Sequence, residues 1–263
     1  LSTVGIVDHD TTAGVVEFRK AGEILEFPTT TGFEMRVSMD NTALGTRRYN
    51  SPDSEGVAYI LCHGLPHSSL EEAETLLGPV RQSRERRNLR MVARLNDFLS
   101  SSAIPHVSYE RDVRPLSEAQ QGGTVTERHI MYALAKVVSS EVGRGPALVR
   151  FLESNMNMEV SSEQHERLAD PENPHLLYDL LGVLKSEFVP RIFETPDTEE
   201  CIPVSRAVAS IRAMGAVPCY SYLGDIGKSV TGDKKAQAFE DAFLEELFGE
   251  LVGLGFQAVS YMP

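Results

Sequence analysis

Apolar and polar positions along this chain fall into short blocks that switch between the two-residue period of strands and the three-to-four-residue period of helices. Residues 2–7 form a β-rich apolar run that stops at the polar stretch Asp8-His9-Asp10-Thr11-Thr12, and residues 13–25 then carry apolar side chains at helical spacing. Residues 29–37 predict a second strand and residues 57–62 a third, separated by a polar segment punctuated with Pro and Gly. A long helix is expected over residues 69–99. Its arginines at 81, 84, 86, 87, 90 and 94 read as a solvated face, with Leu89, Val92, Ala93 and Leu95 as its buried side. Thr126 is placed to cap a helix running through Val138. Residues 155–203 are polar and rich in Glu and Pro, and read as an inserted helical subdomain or lid. A helix at 205–214, a strand at 216–222, a helix at 236–254 and a strand at 256–261 resume the alternation. The expected organisation is therefore an α/β chain in three stretches, 1–154, 155–203 and 204–263, the middle one inserted into the other two.

Length and composition fit that pattern. A chain of 263 residues can form one α/β barrel, and 41% hydrophobic residues with no Trp describe a globular chain built on aliphatic packing. With 25 Lys+Arg against 38 Asp+Glu the formal charge is -13, which disfavours long nucleic acid and requires any phosphorylated substrate to find local positive charge, from metal ions or clustered arginines. Cys62, Cys201 and Cys219 are widely spaced, without a CxxC pair, so a disulfide framework or zinc ribbon is not expected and a reducing cytoplasm fits. The sequence shows neither a membrane span nor a signal peptide, and it opens at Leu1 inside a strand, as if an N-terminal portion were missing.

Candidate chemistry gathers at strand ends. Asp8, His9 and Asp10 close the first strand, where α/β enzymes keep their sites, and His9 could ligate a metal while Asp8 or Asp10 orients it. The plainer reading has Asp10 or Thr11 capping the next helix and His9 in a loop. Glu34 sits near the end of the second strand and gains interest from its pairing with His9; His63 follows the third and is a further candidate ligand. Arg128 and His129 at a helix start suit an anion such as phosphate, or else are a surface arginine and a packed histidine. No P-loop, GxGxxG or GxSxG motif is present.

These residues resemble the polymerase-and-histidinol-phosphatase (PHP) superfamily of metal-dependent phosphoesterases. The run from Val4 to Gly14, VGIVDHDTTAG, is similar to that family's ITDHDT-x-G motif, and Thr31-Gly32-Phe33-Glu34 to its PGxE motif. Further on, the arginine-rich helix resembles its R-x-x-R helix, Glu127-Arg128-His129-Ile130 its RPHIA motif, and residues 214–223 its GGxPVLAHP segment. The resemblance implies a distorted (β/α)7 barrel of TIM-like form, holding two or three divalent ions (Mn, Fe or Zn) whose hydroxide attacks phosphorus. His9 and Glu34 would be metal ligands, Glu34 bridging; Arg128 and His129 would hold phosphate; Asp8 and Asp10 would support. The family's opening His-x-His and closing Asp-x-His are absent. Tyr222 stands where the family has a ligand His, and Tyr59 stands near another, with His63 or Asp225 as replacements.

Two functions follow from the resemblance. One is a metal-dependent phosphoesterase acting on a small phosphorylated metabolite or short nucleotide; the other is a PHP-like binding or regulatory protein with a depleted metal site and no catalysis. The sequence leaves the oligomeric state open, a homo-oligomer included.

Overall fold

The computed structural model describes residues 2–51, 54–224 and 240–261; Asp225 and the first part of the helix predicted at 236–254 lie outside them. Strands β1 (Val4–His9), β2 (Thr29–Ser38), β3 (Val57–His63), β4 (Ile202–Pro203), β5 (Val217–Tyr222) and β6 (Ala258–Tyr261) alternate with helices α1 (Val15–Ile24), α2 (Leu70–Leu99), α3 (Glu127–Val142), α4 (Pro146–Ser154), α5 (Ser162–Ala169), α6 (Leu176–Ile192), α7 (Val204–Ala213) and α8 (Leu244–Leu254). The chain divides into two compact units, one of Leu1–Arg84, Gln121–Thr124 and Thr195–Pro263, the other of Glu85–Gln120 and Val125–Glu194. The helical segment expected at 155–203 overlaps the second unit over residues 155–194, and that unit also takes in residues 85–120 and 125–154.

In the first unit the described strands form one mixed sheet in the order β1-β2-β3-β5-β6, with β4 pairing the end of β2. β1 runs parallel to β2 and β5 to β6, whereas β3 runs antiparallel to both of its neighbours. The result is a curled half-barrel, and the closed, all-parallel (β/α)7 barrel is not seen among the described residues. The reason lies in the link between β2 and β3. A parallel neighbour needs a crossover, usually helical, and the described residues of 39–56 contain no helix. The link folds on itself through Met39 N–H to Gly56 O at 2.7 Å and Gly56 N–H to Arg47 O at 2.9 Å. Asn50 then ties it to the sheet, donating from Nδ2 to the carbonyls of Tyr59 and Ser221 and accepting the Tyr59 N–H.

Alternation along the strands separates two faces. Phe33, Met35 and Val37 of β2, Ala58, Ile60 and Cys62 of β3 and Tyr220 of β5 pack against Leu77 and Val80 of α2, Ala207, Val208 and Ile211 of α7, and Leu247 and Leu251 of α8. His9, Glu34, Arg36 and Tyr59 alternate onto the other face. Where β2 and β3 lie side by side, Gly32 leaves no room for a side chain: a Cβ there would stand 1.6 Å from the Cys62 carbonyl oxygen.

The second unit is helical. Met91 and Leu95 from the latter part of α2, Leu134 and Val138 of α3, Leu148 and Leu152 of α4, and Leu180, Leu184 and Ile192 of α6 share one core. α3 starts at Thr126 as expected but runs past Val138 to Val142, where Gly143 (φ 88°) ends it. No described helix is long and apolar enough to cross a membrane.

The arginine-rich face of α2 is not solvated as a whole. Arg84 and Arg87 are 3% and 1% exposed, while Leu89 and Ala93, expected to be buried, face outward. Ser83, Arg84, Arg87, Asn88, Met91, Val92 and Leu95 follow helical spacing on the buried side, where each arginine has an acidic partner: Glu200 for Arg84 at 3.2 Å and Glu127 for Arg87 at 3.1 Å. A buried guanidinium is tolerated only when paired in this way.

Substitution of Gly32 by Ala is expected to prevent folding or to lower the unfolding free energy by more than the ~1–3 kcal/mol typical of an over-packed core, because the obstacle is backbone. Urea denaturation beside Gly78→Ala, a position on α2 with open space around it and no left-handed backbone, checks this; a Gly32→Ala protein as stable as the parent would contradict the close approach of the two strands.

Candidate functional site

The first strand does not stop at Val7, as its polarity suggests, but continues through Asp8 and His9, because the main chain goes on pairing with β2 up to His9↔Glu34. That register puts the two side chains next to each other, with His9 Nδ1 3.0 Å from Glu34 Oε1. The next residue, Asp10, donates its N–H to the Glu34 carbonyl at 2.7 Å and turns into the left-handed region at φ 56°, which aspartate tolerates better than most residues. The turn carries the Asp10 carboxylate inward, to 0% exposure. Neither Asp10 nor Thr11 caps α1, whose N-cap is Gly14. Thr124 Oγ1 donates to the His9 carbonyl at 3.1 Å and Thr11 Oγ1 to that of Gly122 at 2.6 Å, fixing the turn against the loop at 121–124.

Around this corner the sheet and α2 bring charges of both signs. Arg84 Nη2 lies 2.7 Å from Asp10 Oδ2, and its Nε lies 3.2 Å from Glu200 Oε1. Glu200, itself 0% exposed, is also 3.6 Å from Arg36 Nη1. It is held by a turn in which Asp197 Oδ1 accepts the N–H groups of Glu199 and Glu200 and Ser83 donates to the Asp197 carboxylate. Arg36, two residues after Glu34 and so on the same face, donates from Nε to the Tyr59 hydroxyl at 2.7 Å; the Tyr59 ring in turn lies 5.5 Å from that of His9. Arg81 donates to the Asp10 carbonyl and pairs with Glu74, which accepts from Thr12.

Burial is the main force on the carboxyls. It raises Glu34 to about 7, with the Asp10 charge adding to the rise and Arg36 and Arg84 opposing it. Asp10 is likewise raised by burial, with Arg84 pulling the other way. The thiols offer no nucleophile: burial pushes Cys62 and Cys201 up to about 12 and Cys219 up to about 11.

His63 ends β3 as expected; with Glu34↔Leu61 and Phe33↔Cys62 paired, the next step sets it across from Gly32, two residues along β2 from Glu34 and on the same face; burial lowers its pKa and favours the neutral ring. Asp8 is exposed. Tyr222 alternates away from His9 and Glu34 onto the helix-covered face, where its hydroxyl donates to Asp241 and its ring stacks on Tyr261. Tyr59, not Tyr222, is the tyrosine beside His9. Arg128 and His129 belong to the helical unit. Arg128 is exposed, and His129 Nδ1 accepts the Thr126 N–H at 2.9 Å, which makes the ring an arm of the helix cap and, with burial lowering its pKa, a neutral one. A cleft of about 680 Å³ lies between the C-terminal part of α1, Thr29–Thr31 and Gly64–Pro66, beside the first residues of β2.

Sequence reasoning missed Arg36, Arg84 and Glu200. Arg36 was readable from the two-residue spacing to Glu34, and Arg84 from its place on the α2 stripe. Glu200 carries no signal, since it reaches the corner from a turn far along the chain.

No family model matches the chain, and no curated protein matches it. Two solved structures share its fold. One is a protein provisionally named a metal-dependent phosphoesterase, from Bifidobacterium adolescentis, at a TM-score of 0.57 and 17% identity; the match covers 98% of this chain and 66% of that one. The other is an amidohydrolase from Chromobacterium violaceum with bound sulfate and no metal, at a TM-score of 0.55 and 15% identity, with the same coverage of each chain. The chain thus spans slightly less than two thirds of either protein.

The raised Glu34 pKa has a consequence for stability. Below about 4.5 the carboxyl is protonated whether the chain is folded or not; between about 4.5 and 7 the unfolded chain ionises while the folded one keeps its proton, so stability falls as pH rises and levels off above about 7. The Glu34→Gln protein should lack this part of the slope. Denaturant unfolding across that interval tests it, and equal slopes for the two proteins would contradict the burial of an uncompensated carboxyl.

Proposed function

We propose that the chain is a hydrolase acting on a small phosphorylated substrate. The observation that carries this reading is the His9–Glu34 pair, an imidazole and a carboxylate 3.0 Å apart on neighbouring parallel strands, at the end of the sheet where the arginines also gather. The two fold relatives support it in a general way, since both names describe hydrolases.

The PHP resemblance suggests a divalent ion, Mn, Fe or Zn, which would supply an activated water, and the phosphoesterase relative's name speaks of a metal without saying which. His9 and Glu34 are the donors that would meet it. Among the described residues, however, no group of three or more His, Cys, Asp or Glu side chains could hold a metal, and the nearest third carboxylate, Asp10, is taken by Arg84. The residues do not fit the two- or three-ion cluster that the resemblance implies, so the chemistry is derived from the side chains alone. With Nδ1 donating to the Glu34 carboxylate, His9 keeps its lone pair on Nε2 and can take a proton from an attacking water, while Glu34 orients the ring and stabilises its charged form. Arg36 and Arg84 place positive charge beside the pair, which the acidic chain as a whole does not offer to an anion.

The arginine pairing also favours a second reading, a PHP-like protein that binds a phosphorylated ligand without turning it over, since buried carboxylates already neutralised need no metal. A panel of phosphomonoesters and phosphodiesters, assayed with chelator and with added Mn, decides between them. The hydrolase reading expects turnover that falls about 10²-fold or more in His9→Ala and Glu34→Ala. Binding without hydrolysis by the parent chain would reject it in favour of the second.

A further inference from the structure

The Asp10 oxygen that faces His9 is already engaged by an arginine. Oδ2 of Asp10 lies 3.7 Å from His9 Nε2 and 2.7 Å from Arg84 Nη2. We propose that Arg84 is a built-in cation at this corner, filling at Asp10 the role a divalent ion would take and limiting the site to at most one ion, at His9 and Glu34. The proposal rests on the reading that this corner is the functional site.

Four features argue for it. Arg84 is fixed between two carboxylates, Asp10 and Glu200, each 0% exposed. It cannot lose its charge at ordinary pH, so the pairing persists whenever the two acids are ionised. Glu200 is kept in place by the Asp197 turn and touches a second arginine, Arg36, so the acids meet cations on more than one side. Finally, neither buried oxygen of Asp10 accepts a hydrogen bond, so the 2.7 Å approach of Arg84 Nη2 to Oδ2 is a charge contact and the carboxylate has no hydrogen-bond donor to stabilise it instead. A buried carboxylate in that state is costly, and the Arg84 charge is what offsets the cost. A divalent ion arriving at Asp10 would face the guanidinium as a like charge with little water between them, so Arg84 and the ion exclude one another. A buried Asp-Arg-Glu group is a poor source of stability compared with apolar packing, and a role in setting charge at the site accounts for it.

Titration calorimetry with Mn and Zn alone, on the chain freed of metal by chelator, tests the proposal without reference to turnover. The parent chain should take no more than one equivalent, lost on Glu34→Ala; two or more equivalents would overturn the proposal. Arg84→Gln should then gain a metal-dependent rise in Tm of at least about 3 °C over any shown by the parent, and the double variant with Asp10→Asn should lose that gain. If Arg84→Gln does not fold without metal, refolding in Mn should recover it. Arg84→Lys, which keeps the charge, should match the parent. An Arg84→Gln protein no more responsive to metal than the parent, or an Arg84→Lys protein that gains an ion, would overturn it. Because metal uptake and hydrolysis are read separately, a chain that binds as proposed yet hydrolyses nothing rejects the enzymatic reading and leaves this one standing.

Discussion

The parallel pairing of the first two strands is the constraint on which the site depends. Hydrogen bonding along β1 and β2 holds His9 opposite Glu34, and one bond further, from Asp10 to the Glu34 carbonyl, sets the left-handed turn that buries the Asp10 carboxylate. A slip of one residue would move His9 to the other face of the sheet and separate the pair. Gly32 contributes from the other side, since only a residue without a side chain lets β3 lie against β2 at this point. The motif residues Gly32 and Glu34 are therefore two parts of one arrangement, a backbone fit and the carboxylate it positions.

Charge is the second organising feature. Three arginines, Arg36, Arg81 and Arg84, meet four acids, Asp10, Glu34, Glu74 and Glu200, around one strand end. Burial raises both Glu34 and Asp10 more than the nearby arginines lower them, so both carboxyls hold a proton more readily than an exposed acid does.

Most of the elements were legible because apolar periodicity reports which residues face a core: β2 and β5 fall within a residue or two of their predicted ends. Three features were not. His9 was read outside the strand because Asp8-His9-Asp10 is polar, yet an edge strand with one solvated face continues as long as its main chain finds a partner. The direction of β3 depends on the link before it, and the lack of a helical pattern in residues 39–56 was the available sign that no crossover occurs; that direction is what sets Leu61, and not His63, opposite Glu34. The arginines of α2 looked like a solvated face because their partners, Asp10, Glu200 and Glu127, are distant in sequence. Of the candidate residues, His9, Glu34 and Asp10 are brought together, whereas Tyr222 turns to the other face of the sheet.

The central claim is that Glu34 sets the protonation of His9, and the imidazole tautomer tests it most directly. Long-range proton–nitrogen NMR on the metal-free chain above about pH 7, where Glu34 is ionised and can only accept, should find the His9 proton on Nδ1 and the lone pair on Nε2, with that preference lost in Glu34→Ala. A proton held on Nε2 and unchanged by the substitution would mean that the pair does not form, and the account of the site would fall with it.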